Sequence, residues 1–151
     1  MPSAPAAGAQ PASWSLIVHD TSDPASPGLD LCDLRVDCAV GVARDRGFDL
    51  SNLRHGDEAQ GWGDQDQHPF TRDFTRAMRL LAGEGDCHAG RFLTMRPGGR
   101  LAVSFEGGEA CEVWVDGTGE GASYRVEVCV EESCSDFAVV DPAGLAILQV
   151  R

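Results

Sequence analysis

Apolar and polar residues alternate at period two through most of this chain, which is the signature of strands with one buried and one solvated face. Trp14, Leu16 and Val18 fall on one side of a first strand over residues 14–19. Leu29 to Val36 and Ala39 to Ala43 follow as a strand pair or as one interrupted strand, after a loop punctuated by Pro24 and Pro27. From Arg91 onward the pattern predicts six short strands: Phe92–Met95, Leu101–Phe105, Cys111–Val115, Tyr124–Val128, Phe137–Val140 and Leu145–Leu148. Turns at Pro97-Gly98-Gly99, Glu106-Gly107-Gly108, Asp116-Gly117-Thr118-Gly119 and Asp141-Pro142-Ala143-Gly144 separate them. The same alternation turns Cys111, Val113 and Val115 inward. It puts Tyr124, Val126, Val128 and Val130 on one face, with Arg125, Glu127 and Cys129 on the outer one.

Helical spacing occurs once, over residues 70–82, where Phe70, Phe74, Ala77 or Met78, and Leu81 recur between Pro69 and Gly83. Residues 44–69 carry four glycines, many acids and scattered apolar residues, and read as a long loop. Short strands at this spacing with one helix predict an all-β fold, an antiparallel β-sandwich, rather than a parallel sheet with crossover helices. Residues 1–13, rich in Pro, Ala, Gly and Ser, read as a flexible linker without the basic and apolar regions of a signal peptide. Residues 14–151 make a single domain of ordinary size. The apolar runs fall far short of a membrane span, so no membrane insertion is expected.

Charge narrows the partners. The chain has 24 acidic and 12 basic residues, net −12, and all the basic ones are Arg. Such a chain repels phosphate and lacks the clustered cations that counterion release requires, so nucleic acid is not an expected partner. Residues 101–151 hold ten acids and two Arg, consistent with a solvated outer sheet face. Cations, neutral polymers and basic proteins remain open.

Six cysteines without zinc-ligand spacing point to disulfides and an oxidising compartment, hence a secreted or cell-surface protein. Cys129 and Cys134 enclose four residues, which suits opposed positions of a hairpin and a disulfide between them. Cys32 and Cys38 are six residues apart and pair only if their strand breaks; these two, Cys87 and Cys111 are left unassigned.

The run Phe92-Leu93-Thr94-Met95-Arg96-Pro97-Gly98-Gly99-Arg100-Leu101-Ala102-Val103-Ser104-Phe105, after a short helical segment, resembles the central hairpin of galactose-binding-like (discoidin-type) jelly-roll domains of bacterial surface proteins. The resemblance covers about residues 64–151. The family's Gly-x-Pro-Asp after the helical turn is replaced here by Ala82-Gly83-Glu84-Gly85-Asp86. The resemblance implies an eight-stranded jelly roll, often with a structural calcium ion, binding carbohydrate or another surface through loops at one end.

Within Gly61-Trp62-Gly63-Asp64-Gln65-Asp66-Gln67-His68, Asp64 and Asp66 stand two residues apart in a turn and are candidate Ca²⁺ ligands, with a solvated acidic loop as the alternative. Trp62 and His68 are the candidate ligand-binding residues, since a Trp between glycines offers a flat face for a sugar or a protein pocket; otherwise it tucks over the core edge. Asp30, Asp33 and Asp37 bracket Cys32 and Cys38, and read as charges that discourage edge aggregation. Cys87-His88 are sequence neighbours whose side chains diverge in a strand, and no nucleotide, zincin or serine-hydrolase motif occurs. The expected function is therefore an extracytoplasmic binding or adhesion module for a carbohydrate or protein surface, not an enzyme. A structural spacer domain is the first alternative and a hydrolase the second.

Overall fold

The computed structural model describes residues 13–53, 69–130, 133–140 and 145–150. Eight strands and one α-helix are described: β1 (Ser13–Asp20), β2 (Asp30–Val40), β3 (Arg44–Leu53), α1 (Pro69–Leu81), β4 (Leu93–Glu106), β5 (Glu109–Thr118), β6 (Tyr124–Val130), β7 (Ser133–Val140) and β8 (Leu145–Val150). All the pairings are antiparallel, in the order β7-β6-β1-β4-β2-β5-β8, with β3 added to β4. This is the expected all-β, sandwich-like architecture, a sheet curled around one core.

Strand β4 makes the curl. Its first residues, Leu93 and Thr94, pair with β2, while Arg100 to Glu106 pair with β1. One strand thus serves both halves, as in sandwiches whose corners are strands that change sheets. The corner is Pro97-Gly98-Gly99, with Gly98 at φ 83°, a left-handed conformation open to glycine without steric cost. The hairpin expected between residues 92–95 and 101–105 is therefore replaced by a continuous bent strand.

A second correction concerns residues 44–69, whose first part is β3 rather than loop. Phe48 and Leu50 face the core from it, opposite Val103 and Leu101 of β4. Likewise β2 is one strand through Val40, with a bulge between Leu31 and Asp33.

The core is built from the inward rows the alternation predicts: Leu16 and Val18 of β1, Leu101 and Val103 of β4, Val113 and Val115 of β5, Tyr124 and Val126 of β6, each fully buried. Tyr124 satisfies its hydroxyl inside that core by donating to the Val115 carbonyl at 3.2 Å, and burial raises its pKa above the usual tyrosine value. Helix α1 packs on β2, β3 and β4. It buries Ala77 and Leu80 and leaves Met78 46% exposed, so Ala77, not Met78, takes the inward position.

All six cysteines are paired. Cys32 joins Cys87, tying β2 to the 3-10 turn after α1, and Cys38 joins Cys111 across the β2–β5 pair. Cys129 joins Cys134, the pair expected across the β6–β7 hairpin. Three disulfides in a domain of this size belong to an oxidising, extracytoplasmic environment. No helix among the described residues is long and apolar enough to cross a membrane.

Candidate functional site

The expected site residues Trp62, Asp64, Asp66 and His68 lie outside the described residues. Among the described residues, two irregular segments are tied down by short contacts. The Asp20 carboxylate, 3% exposed, accepts from the Ser22 and Leu29 amides at 2.9 and 2.8 Å and fixes both ends of the β1–β2 loop. Asp86 accepts from the His88 and Ala89 amides and caps the 3-10 turn that holds Cys87. The sulfur of Cys87 is bonded to Cys32, so the Cys87-His88 neighbours present no free thiol.

Among the described residues, the side-chain arrangement best suited to recognition is on the outer face of the β2–β5 pair. Parity decides which residues stand there. With Val113, Val115 and Leu34 buried in the core, the residues between them turn outward. Register then sets them in three rungs: Asp33 opposite Asp116, Arg35 opposite Trp114, and Asp37 opposite Glu112. In the middle rung the Arg35 guanidinium carbon lies 4.6 Å from the centre of the Trp114 ring, within the range of a cation–π contact. Arg35 also approaches Asp37, with Nε 3.9 Å from Oδ2, a loose and exposed ion pair of little energetic weight.

The rungs on either side set carboxylate against carboxylate. Like charges directly opposite on antiparallel strands destabilise a sheet. The cost is visible at Asp116, whose pKa is raised by partial burial first and by the Asp33 charge second, against a lowering contribution from the Gly117 amide. The folded pKa then exceeds the unfolded one, so this group favours the native state below the unfolded carboxylate value and loses that contribution as pH rises through the folded pKa. Asp116→Asn is accordingly expected to raise the melting temperature at pH 7. The gain over wild type should shrink as both are titrated below pH ~4, where the carboxylate is protonated in either state. A variant less stable than wild type at pH 7 would show that the carboxylate contributes more by hydrogen bonding than it costs by repulsion.

A second outward cluster lies on the other half of the sheet, where β1, β4 and β6 run together. His19 Nε2 is 3.1 Å from Glu127 Oε1, and Cys129 packs with Ile17 and Ala102 in a small apolar patch separate from the main core. Cys129 therefore sits on the outer face as the alternation predicts, but covered to 8% exposure. The carboxylate oxygen of Glu127 and the sulfurs of Cys129 and Cys134 lie within 4.8 Å of one another. While those two sulfurs are bonded together, neither is a thiolate ligand.

Sequence reasoning placed Glu127 on the outer face and made no reading of Trp114, because pairing across strands, not spacing along the chain, brings His19 to the one and Arg35 to the other. No family model, no curated protein and no solved structure matches this chain.

Proposed function

We propose that this protein is a secreted or surface-displayed binding module that recognises a basic protein surface through the outer face of β2 and β5. The observation that carries the reading is the Arg35–Trp114 pair held between two carboxylate rungs, Asp33/Asp116 and Asp37/Glu112. Trp and Arg are the residue types that most often dominate binding energy at interfaces. Four carboxylates around them supply the charge complementarity that steers a cationic partner and raises its association rate. A basic partner would also relieve the repulsion at Asp116, and the chain's net charge of −12 adds long-range attraction of the same sign.

A carbohydrate is less well served by this face. Stacking on a sugar requires a bare aromatic face, and Arg35 occupies one face of the Trp114 ring. The loop of Trp62, Asp64, Asp66 and His68 stays a candidate for a second contact, with Ca²⁺ as its proposed ion.

The test is binding of an immobilised arginine-rich synthetic peptide, measured as a function of salt. Wild type should bind, and weaken steeply as salt rises. Trp114→Ala should reduce affinity about thirtyfold, the ~2 kcal/mol expected of a hot-spot aromatic, with its melting temperature close to wild type. Asp33→Asn/Asp116→Asn should weaken binding more than Asp45→Asn/Asp49→Asn, which removes the same charge from the exposed side of β3. Equal losses from the two double variants would reduce the attraction to net charge and leave the face without a role. No peptide binding, together with no glycan binding, would favour a spacer domain.

A further inference from the structure

Strand β2 has a neighbour on each side only at its start. Among the described residues it pairs with β4 at Asp30 and Leu31 alone, and with β5 from Asp30 to Val40. The bulge between Leu31 and Asp33 lies where β4 leaves for the other half of the sandwich. Beyond it, the second edge of β2 has no strand beside it among the described residues, and the backbone groups of such an edge are a template for one more strand.

The side chains record the same gap. Val36 stands opposite Val113, and Cys38 opposite Cys111, across the β2–β5 pair. The β5 member of each rung is buried, at 0% and 1% exposure, while Val36 and Cys38 are only half-buried and Val40, next in their row, is 59% exposed. The inward row of β2 thus loses its cover on the side where the sheet stops. An added strand would bring alternate side chains alongside Val36 and Cys38 and remove that apolar area from water.

Charge chooses the occupant. Asp33, Arg35 and Asp37 stand outward along this edge, and the net charge of −12 repels a second copy of the chain while it attracts a cationic segment. We propose that the basic partner is an extended segment that adds to the β2 edge, between Asp33 and Val40, as an antiparallel strand. The inference rests on the binding reading above and gives its partner a form: basic residues opposite Asp33 and Asp37, an uncharged one opposite Arg35, and apolar residues between them facing inward. The edge of β3 fits such a segment less well, since β3 begins Arg44-Asp45-Arg46 and its Asp49 is held by Arg100 at 2.8 Å. The Cys38–Cys111 bond ties β2 to β5, so the receiving edge keeps strand geometry before the partner arrives. Such preorganisation lowers the ordering cost of binding.

The experiment uses the whole chain with its disulfides intact and two end-capped peptides of one composition. The first alternates, Val-Thr-Val-Arg-Val-Thr-Val-Arg; the second is blocked, Arg-Arg-Thr-Thr-Val-Val-Val-Val. The alternating peptide should bind about tenfold or more tighter, the worth of about one net backbone hydrogen bond. In a strand the N–H groups of alternate residues point to the same edge. N-methylating the valines and N-methylating the threonines and arginines should therefore give opposite results, one abolishing binding and the other sparing it. Amide hydrogen exchange followed by nuclear magnetic resonance should show new protection at alternate residues of β2 between Leu34 and Val40, and none on β3. Asp37→Arg, at an exposed position, should weaken the alternating peptide by about tenfold or more with the melting temperature unchanged.

Equal affinity for the two peptides, equal responses to the two methylation patterns, or binding without new protection on β2 overturns strand addition and leaves a basic surface as the partner. A dimer of the free protein whose β2 edge amides are already protected overturns the choice of occupant in favour of a second copy. Failure of these peptides and of the arginine-rich peptide alike removes the binding reading itself.

Discussion

Replacing Cys38 and Cys111 together by alanine is expected to cost about 4 kcal/mol, roughly twice the cost of replacing Cys129 and Cys134. The difference comes from the unfolded chain. A cross-link removes loop-closure entropy in proportion to the logarithm of the loop it closes. Separations of 73 residues for Cys38–Cys111 and 55 for Cys32–Cys87, against 5 for Cys129–Cys134, translate to about 4 kcal/mol for each long loop and about 2 for the short one. Packing adds to the contrast. Cys111 is 1% exposed within the main core. The two sulfurs pack so closely on the β4–β5 turn that a Cβ on Gly108, itself at φ +82°, would lie 2.6 Å from Cys38 Sγ.

For a domain of this length a loss of 4 kcal/mol lowers the melting temperature by roughly 10 °C, and losing both long-range disulfides would remove much or all of a typical stability. Thermal melts of the three double-alanine variants at one pH provide the check. If the hairpin variant fell as far as the Cys38/Cys111 variant, the loop-entropy account would be wrong, and the Cys129–Cys134 bond would be holding native packing instead.

Much of the fold was legible in the sequence because one physical rule, burial of alternate residues, governs most strands. It placed Leu16, Val18, Val113, Val115, Tyr124 and Val126 inside and Arg125 and Glu127 outside. It failed where an element needs few apolar residues or breaks a local preference. Strand β3 runs through Arg44, Asp45, Arg46, Gly47 and Asp49, and only Phe48 and Leu50 record its inward row. Two apolar residues at period two are a thin signal among so many charges, and glycine reads as punctuation. The Pro97-Gly98-Gly99 run is a turn by composition but a bend in β4, because the choice between reversing the chain and bending it is made by the sheets the strand joins. The pairing of Cys32 with Cys87 and Cys38 with Cys111 belongs to tertiary structure, which spacing along the chain does not encode. Only the hairpin pair, set by local register, could be read directly.

The Arg35–Trp114 face is an intermediate case. The parity that buries Val113 and Val115 already turns Trp114 outward, so an outward-facing Trp in a strand was available to sequence reasoning. What was missing is the partner strand. Without the register that sets Arg35 against Trp114 and Asp33 against Asp116, the acidic residues of β2 read as edge charges and those of β5 as solvation. In the paired sheet they form one surface, and the Asp33/Asp116 rung carries a like-charge cost.

Trp14→Ala is expected to destabilise the domain by about 3–5 kcal/mol, and its contrast with Trp114→Ala separates a tryptophan that holds the fold from one proposed to serve recognition. Trp14 is 4% exposed and stacks on Phe105, its ring centre 4.5 Å away at 23°. In the backbone it stands between Phe105 of β4 and Val130 of β6, and its Nε1–H donates to the Gly107 carbonyl at 3.1 Å in the β4–β5 turn. The alanine variant loses the buried area, the stack and the turn's hydrogen bond together. Trp14→Phe keeps most of the area and stacking and loses the donor, so it should cost about 1 kcal/mol from the hydrogen bond, plus whatever the smaller ring leaves unfilled. Urea unfolding followed by circular dichroism would order the variants as wild type, then Trp14→Phe, then Trp14→Ala, with Trp114→Ala close to wild type. A Trp114→Ala midpoint as low as that of Trp14→Ala would make Trp114 a structural residue. The outer face of β2 and β5 would then lose its claim as a binding surface, since the side chain at its centre would be held there by packing alone.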